Sequence, residues 1–186
     1  GTDQRRLTHT EGLVALPAIS PDGKQVAFST RGPSSDIFVM DLAGGEPVQV
    51  TRLGGAAATW SPDGRRLAVS PGRPANIYSI NLDGTGLKNL TKNSARNGFP
   101  AWSPKGDRIA FVSDRSGSRS IWTMNIDGSG ARLLIDSVKL DSMPFWNPQP
   151  QWSPDGKRIA FASDMRGTRD IYVINVDGTG LTRLTN

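Results

Sequence analysis

No cysteine occurs among the 186 residues. That excludes disulfides and thiolate metal sites and leaves the redox compartment open. Histidine occurs once, as His9. A Ser-His-Asp triad would have to use it, yet it stands near one terminus in a turn between repeats. No Gly-x-Ser-x-Gly elbow exists anywhere in the chain. HExxH pairs, phosphate-binding loops and dinucleotide fingerprints are absent too. The expectation is a chain that is not an enzyme and carries no cofactor. No run approaches the roughly 18 apolar residues of a membrane-spanning helix, so no direct membrane insertion is expected. The first eight residues lack the apolar stretch of a signal peptide.

Glycine and proline are plentiful, 21 and 13 residues, and they recur at fixed places instead of pooling into linkers. Frequent ordered turns point to an all-β chain. Hydrophobic residues make up 36% and charged residues 21%, which excludes a disordered chain. Lysine and arginine number 22 against 17 acids, a net charge of +5. A nucleic-acid binder gathers such an excess on one stripe with aromatics between. Here the cations come one or two per turn, so no nucleic-acid partner is expected.

Internal repetition is the decisive feature. Ser-Pro-Asp-Gly begins at Ser20, Ser61 and Ser153, and Ser-Pro-Lys-Gly at Ser103, giving intervals of 41, 42 and 50 residues. Each copy continues with a strand (residues 25–29, 66–70, 108–113, 158–163), a second (36–40, 76–80, 120–124, 170–174) and a last one (48–51, 87–91, 132–135, 182–185). Asp83-Gly84, Asp127-Gly128 and Asp177-Gly178 stand between the last two, where both residues tolerate the positive φ of a tight hairpin. The strand ahead of each Ser-Pro carries Trp60, Trp102 or Trp152, with Ile19 in the first copy; their recurrence marks core packing rather than a stacking platform. Apolar positions alternate with period 2 over five or six residues, which excludes helices. Four strands per roughly 42 residues describe a propeller blade.

Side-chain parity agrees. One face of the strand after each turn carries Ala27, Ala68, Ala110 or Ala160. The other carries Val26 with Phe28, Leu67 with Val69, Ile109 with Phe111, or Ile159 with Phe161. Both faces are apolar, so both need cover. A bulky face nests on the slim face of the next sheet, and such sheets build a ring. The predicted units are residues 13–53, 54–94, 95–136 and 137–186. Residues 1–12 are expected to hold the last strand of a preceding blade, because QRRLT at 4–8 matches LTRLT at 181–185. That makes the chain four consecutive four-stranded blades, a segment of a larger ring of about six.

The stretches AWSPKGDRIAF (101–111) and DIYVINVDGTGLTRLT (170–185) resemble the repeat of the TolB family of propellers, and the similarity runs through essentially the whole chain. The resemblance implies a non-catalytic scaffold outside the cytoplasm, periplasmic in TolB proteins, that binds a protein or peptide; those propellers bind the peptidoglycan-associated lipoprotein and colicin peptides. Similar repeats also serve as the gating propeller of prolyl-oligopeptidase-type serine peptidases and as ligand-sensing propellers on bacterial regulators, which stand as alternatives.

Strand order puts the Ser-Pro-x-Gly and Asp-Gly turns on one face of the disc. The remaining loops lie on the other, where sequence varies from copy to copy and a partner is expected. The 50-residue interval is 8 longer than its predecessor, and the excess falls at 136–150, with Met143, Phe145 and Trp146 among prolines. These three, with Arg115, Arg119, Arg166 and Arg169, are the candidate partner-binding residues. No metal ligands are assigned. NVDGTG at 175–180 imitates the opening of a calcium loop, but Asn186 stands where a bidentate Glu is needed.

Overall fold

Each Ser-Pro-x-Gly segment closes on itself through its own side chains. Ser20, Ser61 and Ser153 donate Oγ hydrogen bonds of 2.6, 2.5 and 2.5 Å to Asp22, Asp63 and Asp155. The same serine oxygens accept from the backbone N of Gln25, Arg66 and Arg158. Proline presets φ at the second position of the turn. Where Lys105 replaces the aspartate, Asp107 accepts from Ser103 Oγ at 2.7 Å instead. Four such turns therefore fold alike from two different sequences.

The computed structural model describes residues 4–8, 13–31, 35–54, 57–71, 76–136 and 149–185. Its strands form four antiparallel sheets, each running in chain order from one edge to the other. The first blade is β1 (Leu13–Ile19), β2 (Gln25–Arg31), β3 (Ile37–Asp41) and β4 (Val48–Gln49). The second is β5 (Ala57–Trp60), β6 (Arg66–Ser70), β7 (Tyr78–Asn81) and β8 (Lys88–Asn89). The third is β9 (Asn97–Trp102), β10 (Arg108–Ser113), β11 (Ser120–Asn125) and β12 (Arg132–Ile135). The fourth is β13 (Gln151–Trp152), β14 (Arg158–Ser163), β15 (Asp170–Asn175) and β16 (Thr182–Arg183). The first strands β1, β5 and β9 approach one another in succession, and β9 approaches β13. They form the inner side of the array, and the fourth strands its rim.

Between blades the parity expected from the sequence is what packs. Ala27, Ile37, Val39 and Val50 of the first blade meet Trp60, Leu67, Val69 and Ile80 of the second. Ala68, Ile77 and Leu90 meet Trp102, Ile109, Phe111 and Met124. Ala110, Val112, Ile121 and Leu134 meet Ile159, Phe161, Tyr172 and Ile174. Trp60 Nε1 donates to Ala18 O at 2.8 Å and Trp152 Nε1 to Ala101 O at 2.9 Å, each reaching the inner strand of the preceding blade. Among the described residues nothing covers the slim face of the fourth blade: Ile171 is 41% exposed and Leu184 59%, while Ile37, Ile77 and Ile121 are buried. On the opposite flank Leu7 packs onto Val26, Phe28 and Met40. Arg5 donates to Leu42 O there, as Arg132 does to Val176 O between the third and fourth blades.

Two local expectations change. Within the Asp-Gly pairs only the glycines, Gly84, Gly128 and Gly178, take positive φ, as do Gly86, Gly130 and Gly180 two residues further on. Asn81 N bonds Thr85 O, and Gly84 N bonds Asn81 O, so the loop has three residues and ends on a left-handed glycine. The aspartate contributes through its side chain: Asp83 Oδ1 accepts from Thr85 N at 2.9 Å and Thr85 Oγ1 at 2.6 Å, and Asp177 does the same for Thr179. The fourth strands of the first, second and fourth blades are also shorter than their apolar pattern, with two residues each, whereas β12 keeps all of 132–135. In the first blade, Val50 N and Thr51 N both bond Ile37 O, so two residues face one and regular pairing stops there.

Candidate functional site: the loop face

The described loops joining second to third strands, at 114–119 and 164–169, and the one joining the second and third blades, at 91–96, emerge on the face opposite the Ser-Pro-x-Gly turns. A polar clasp roots them. Asp36 Oδ1 accepts from Thr51 Oγ1 at 3.1 Å, Asn76 Oδ1 from Thr91 Oγ1 at 2.7 Å, and Asp170 Oδ1 from Thr185 Oγ1 at 2.9 Å. In the third blade the roles are exchanged, with Ser120 Oγ donating to Asp136 Oδ1 at 2.7 Å. Thr51, Thr91 and Thr185 also accept from the backbone N of Ile37, Ile77 and Ile171. Each clasp ties the start of the third strand to the end of the fourth. Asp170 additionally takes Thr168 Oγ1 and an ion pair of 2.9 Å with Arg183. The Thr168 bond leads in holding its carboxyl below the usual range, with Thr185 and Arg183 adding to it.

Of the candidate residues, Met143, Phe145 and Trp146 lie outside the described residues, as does His9. The four arginines are described and differ in kind. Arg166 and Arg169 are exposed in the loop between β14 and β15, and Arg119 is half-buried. Arg115 is not a free rim cation. Its guanidinium lies over the neighbouring rings of Phe111 and Trp122 and donates to Ser113 and Asn97. The sequence carried no sign of this seat, because the stacking partners come from two strands and Asn97 from a third.

The opposite face holds a concavity of about 360 Å³ where the inner strands converge. Ile19, Trp60, Trp102 and Trp152 line it with Pro62 and Pro104, and none of the four arginines reaches it. The tryptophans there are edges of the inter-blade packing just described. The clasp residues were missed by sequence reasoning. Their signal was the recurrence of Asp36, Asn76 and Asp170 ahead of Thr51, Thr91 and Thr185, hidden because the third copy reverses donor and acceptor.

The repeat, blade order and turn chemistry are those of the TolB β-propeller domain, whose family model matches residues 1–149. The chain belongs to that family. The Tol-Pal system protein TolB of Francisella tularensis subsp. mediasiatica is 29% identical over 123 residues, which are 62% of this chain and 28% of that protein. The chain thus spans less than a third of the length of this curated relative. The crystal structure of TolB from Acinetobacter baumannii superposes with a TM-score of 0.78 at 25% identity, covering 94% of this chain and 44% of that one. Puromycin hydrolase superposes at 0.72 with 16% identity, over 97% of this chain and 30% of that one, a likeness of fold alone.

Proposed function

We propose that this TolB-like propeller is a non-catalytic scaffold that binds a protein or peptide partner through its loop face, outside the cytoplasm. The observation that carries the reading is the contrast between faces. The turn face repeats nearly one structure four times, whereas the second-to-third-strand loops differ in sequence, RGPSS at 31–35 and PGRP at 71–74 against DRSGSR at 114–119 and DMRGTR at 164–169, and the last two present arginines above a rigid sheet. Binding surfaces favour such loops on fixed scaffolds, and arginine is enriched at protein interfaces. Membership of the TolB family, with a relative named for the Tol-Pal system, supports a protein partner and an extracytoplasmic setting.

The test is titration with purified peptidoglycan-associated lipoprotein. Arg166→Glu with Arg169→Glu should weaken binding by at least about tenfold, equivalent to about 1.4 kcal/mol, with little change in melting temperature. Lys24→Glu with Arg65→Glu, on the turn face, should leave it intact. Phe145→Ala with Trp146→Ala is expected to abolish binding while stability holds; a melting temperature several degrees lower would assign those two side chains to the core. Equal loss from both arginine and turn-face pairs would reduce the effect to net charge and remove the case for the loop face.

A further inference from the structure

Arg115 is held on the loop face by two aromatic rings and two buried acceptors. Its guanidinium carbon lies 5.1 Å from the centre of the Phe111 ring and 4.8 Å from that of Trp122. Nε donates to Ser113 Oγ at 3.0 Å and Nη2 to Asn97 Oδ1 at 3.0 Å. Ser113 and Asn97 are buried and bonded to each other at 2.8 Å, so the platform under the guanidinium is itself fixed. Among the described residues no carboxylate lies within ion-pair distance of it. Its neighbour Asp114 is turned to Arg96, accepting from that backbone N at 2.7 Å. Asp136 accepts from Ser118 and Ser120.

Partial burial disfavours the charged form and pushes the guanidinium below its ordinary pKa. Neutral acceptors return only part of the lost hydration. Packing alone does not call for a charge at this position. In the fourth blade the equivalent residue, after the same Ser-Asp, is Met165. Its backbone N donates to Ser163 Oγ at 3.1 Å, as Arg115 N does to Ser113 Oγ at 3.3 Å. Met165 packs against the cluster containing Phe161 and Tyr172, counterparts of Phe111 and Trp122. An uncharged side chain holds this place over the equivalent serine and rings, so packing against them does not by itself require a charge.

We propose that Arg115 is a preorganised receptor for a carboxylate, and that the partner segment docking on the loop face is an acidic peptide. The inference rests on the loop-face reading above and names the chemistry of the partner. A guanidinium already locked in plane loses little rotamer freedom on binding and offers its remaining N–H donors as a fork matched to a carboxylate. A peptide fits better than a nucleic acid, because the Phe111 and Trp122 rings beside the cation are engaged by it and are not free to stack bases.

Calorimetric titration of the whole chain with acetylated hexaglutamate tests this. Wild type should bind, and Arg115→Met, which introduces the fourth blade's side chain, should lose about tenfold or more in affinity while melting at the same temperature or higher. Arg115→Lys, which keeps the charge without the planar fork, should lose severalfold. Arg166→Gln with Arg169→Gln should lose less than Arg115→Met. The Trp122 indole resonance should shift on adding peptide to wild type, a readout that needs no substitution. Absence of hexaglutamate binding, unchanged affinity in Arg115→Met, a silent Trp122 indole, or equal competition by an oligothymidylate would each overturn the assignment. The lipoprotein titration judges the loop face itself, so binding there with no hexaglutamate response would reject the acidic-peptide chemistry and leave the scaffold reading standing.

Discussion

Gly128 shows how closely a hairpin of one blade rests on the rim of its predecessor. Its φ is +91°, and a Cβ there would stand 2.4 Å from Leu90 O. Gly23, with φ of +71°, has nothing within 4 Å of such a Cβ. Gly23→Ala should therefore cost about 1–2 kcal/mol, the left-handed penalty alone. Gly128→Ala should cost clearly more, because backbone must move; urea unfolding of the pair gives the difference. Trp102→Ala should cost about 3–5 kcal/mol, since the ring is buried against Ile109 and Phe111 of its own blade and Ala68 and Ile77 of the preceding one. The tryptophans were legible in sequence because they recur at one strand position. The Asp36–Thr51 clasp was not, since aspartate, asparagine and serine alternate at its first position and only coordinates show them doing one job.

The Ser-Pro-Asp-Gly turn makes a pH prediction. Hydrogen bonds from Ser20, Ser61 and Ser153 lead in holding Asp22, Asp63 and Asp155 below the ordinary value of 3.8. In the hairpins Thr85, Ser129 and Thr179 do the same for Asp83, Asp127 and Asp177. A carboxyl with a depressed folded pKa stabilises above its unfolded value and loses that contribution as pH falls through the folded one. The melting temperature should hold between neutrality and about pH 5, then drop below about pH 4. Hydrogen bonding leads in each case, so about 0.5 M salt should leave most of the drop in place. Asp63→Asn should be less stable at pH 7 and lose less on acidification. An acid profile that salt abolishes would point to charge pairs instead. At this scale the strands and turns were legible from period and punctuation. The hairpin geometry was not, because Asp-Gly fits both a two-residue turn and the three-residue form that is found.

Across the whole molecule, stability should follow how many faces of each blade are covered. The second and third blades are packed on both sides, whereas the slim face of the fourth carries Ile171 and Leu184 exposed. Repeat arrays are stabilised through neighbour contacts, and regions with fewer of them open first. Native-state hydrogen exchange should release the amides of β15 and β16 before those of β7 and β11. Uniform protection would mean that the four sheets open as one unit.

By itself the sequence determined the repeat, the strand parity and the identity of the two faces, because each follows from local spacing and from which residues a pleated strand turns to either side. Tertiary structure alone decided which slim faces are covered and where Arg115 lies. Both depend on contacts between residues distant in the chain, whose meeting is set by the stacking of blades and leaves no periodic trace in any one of them.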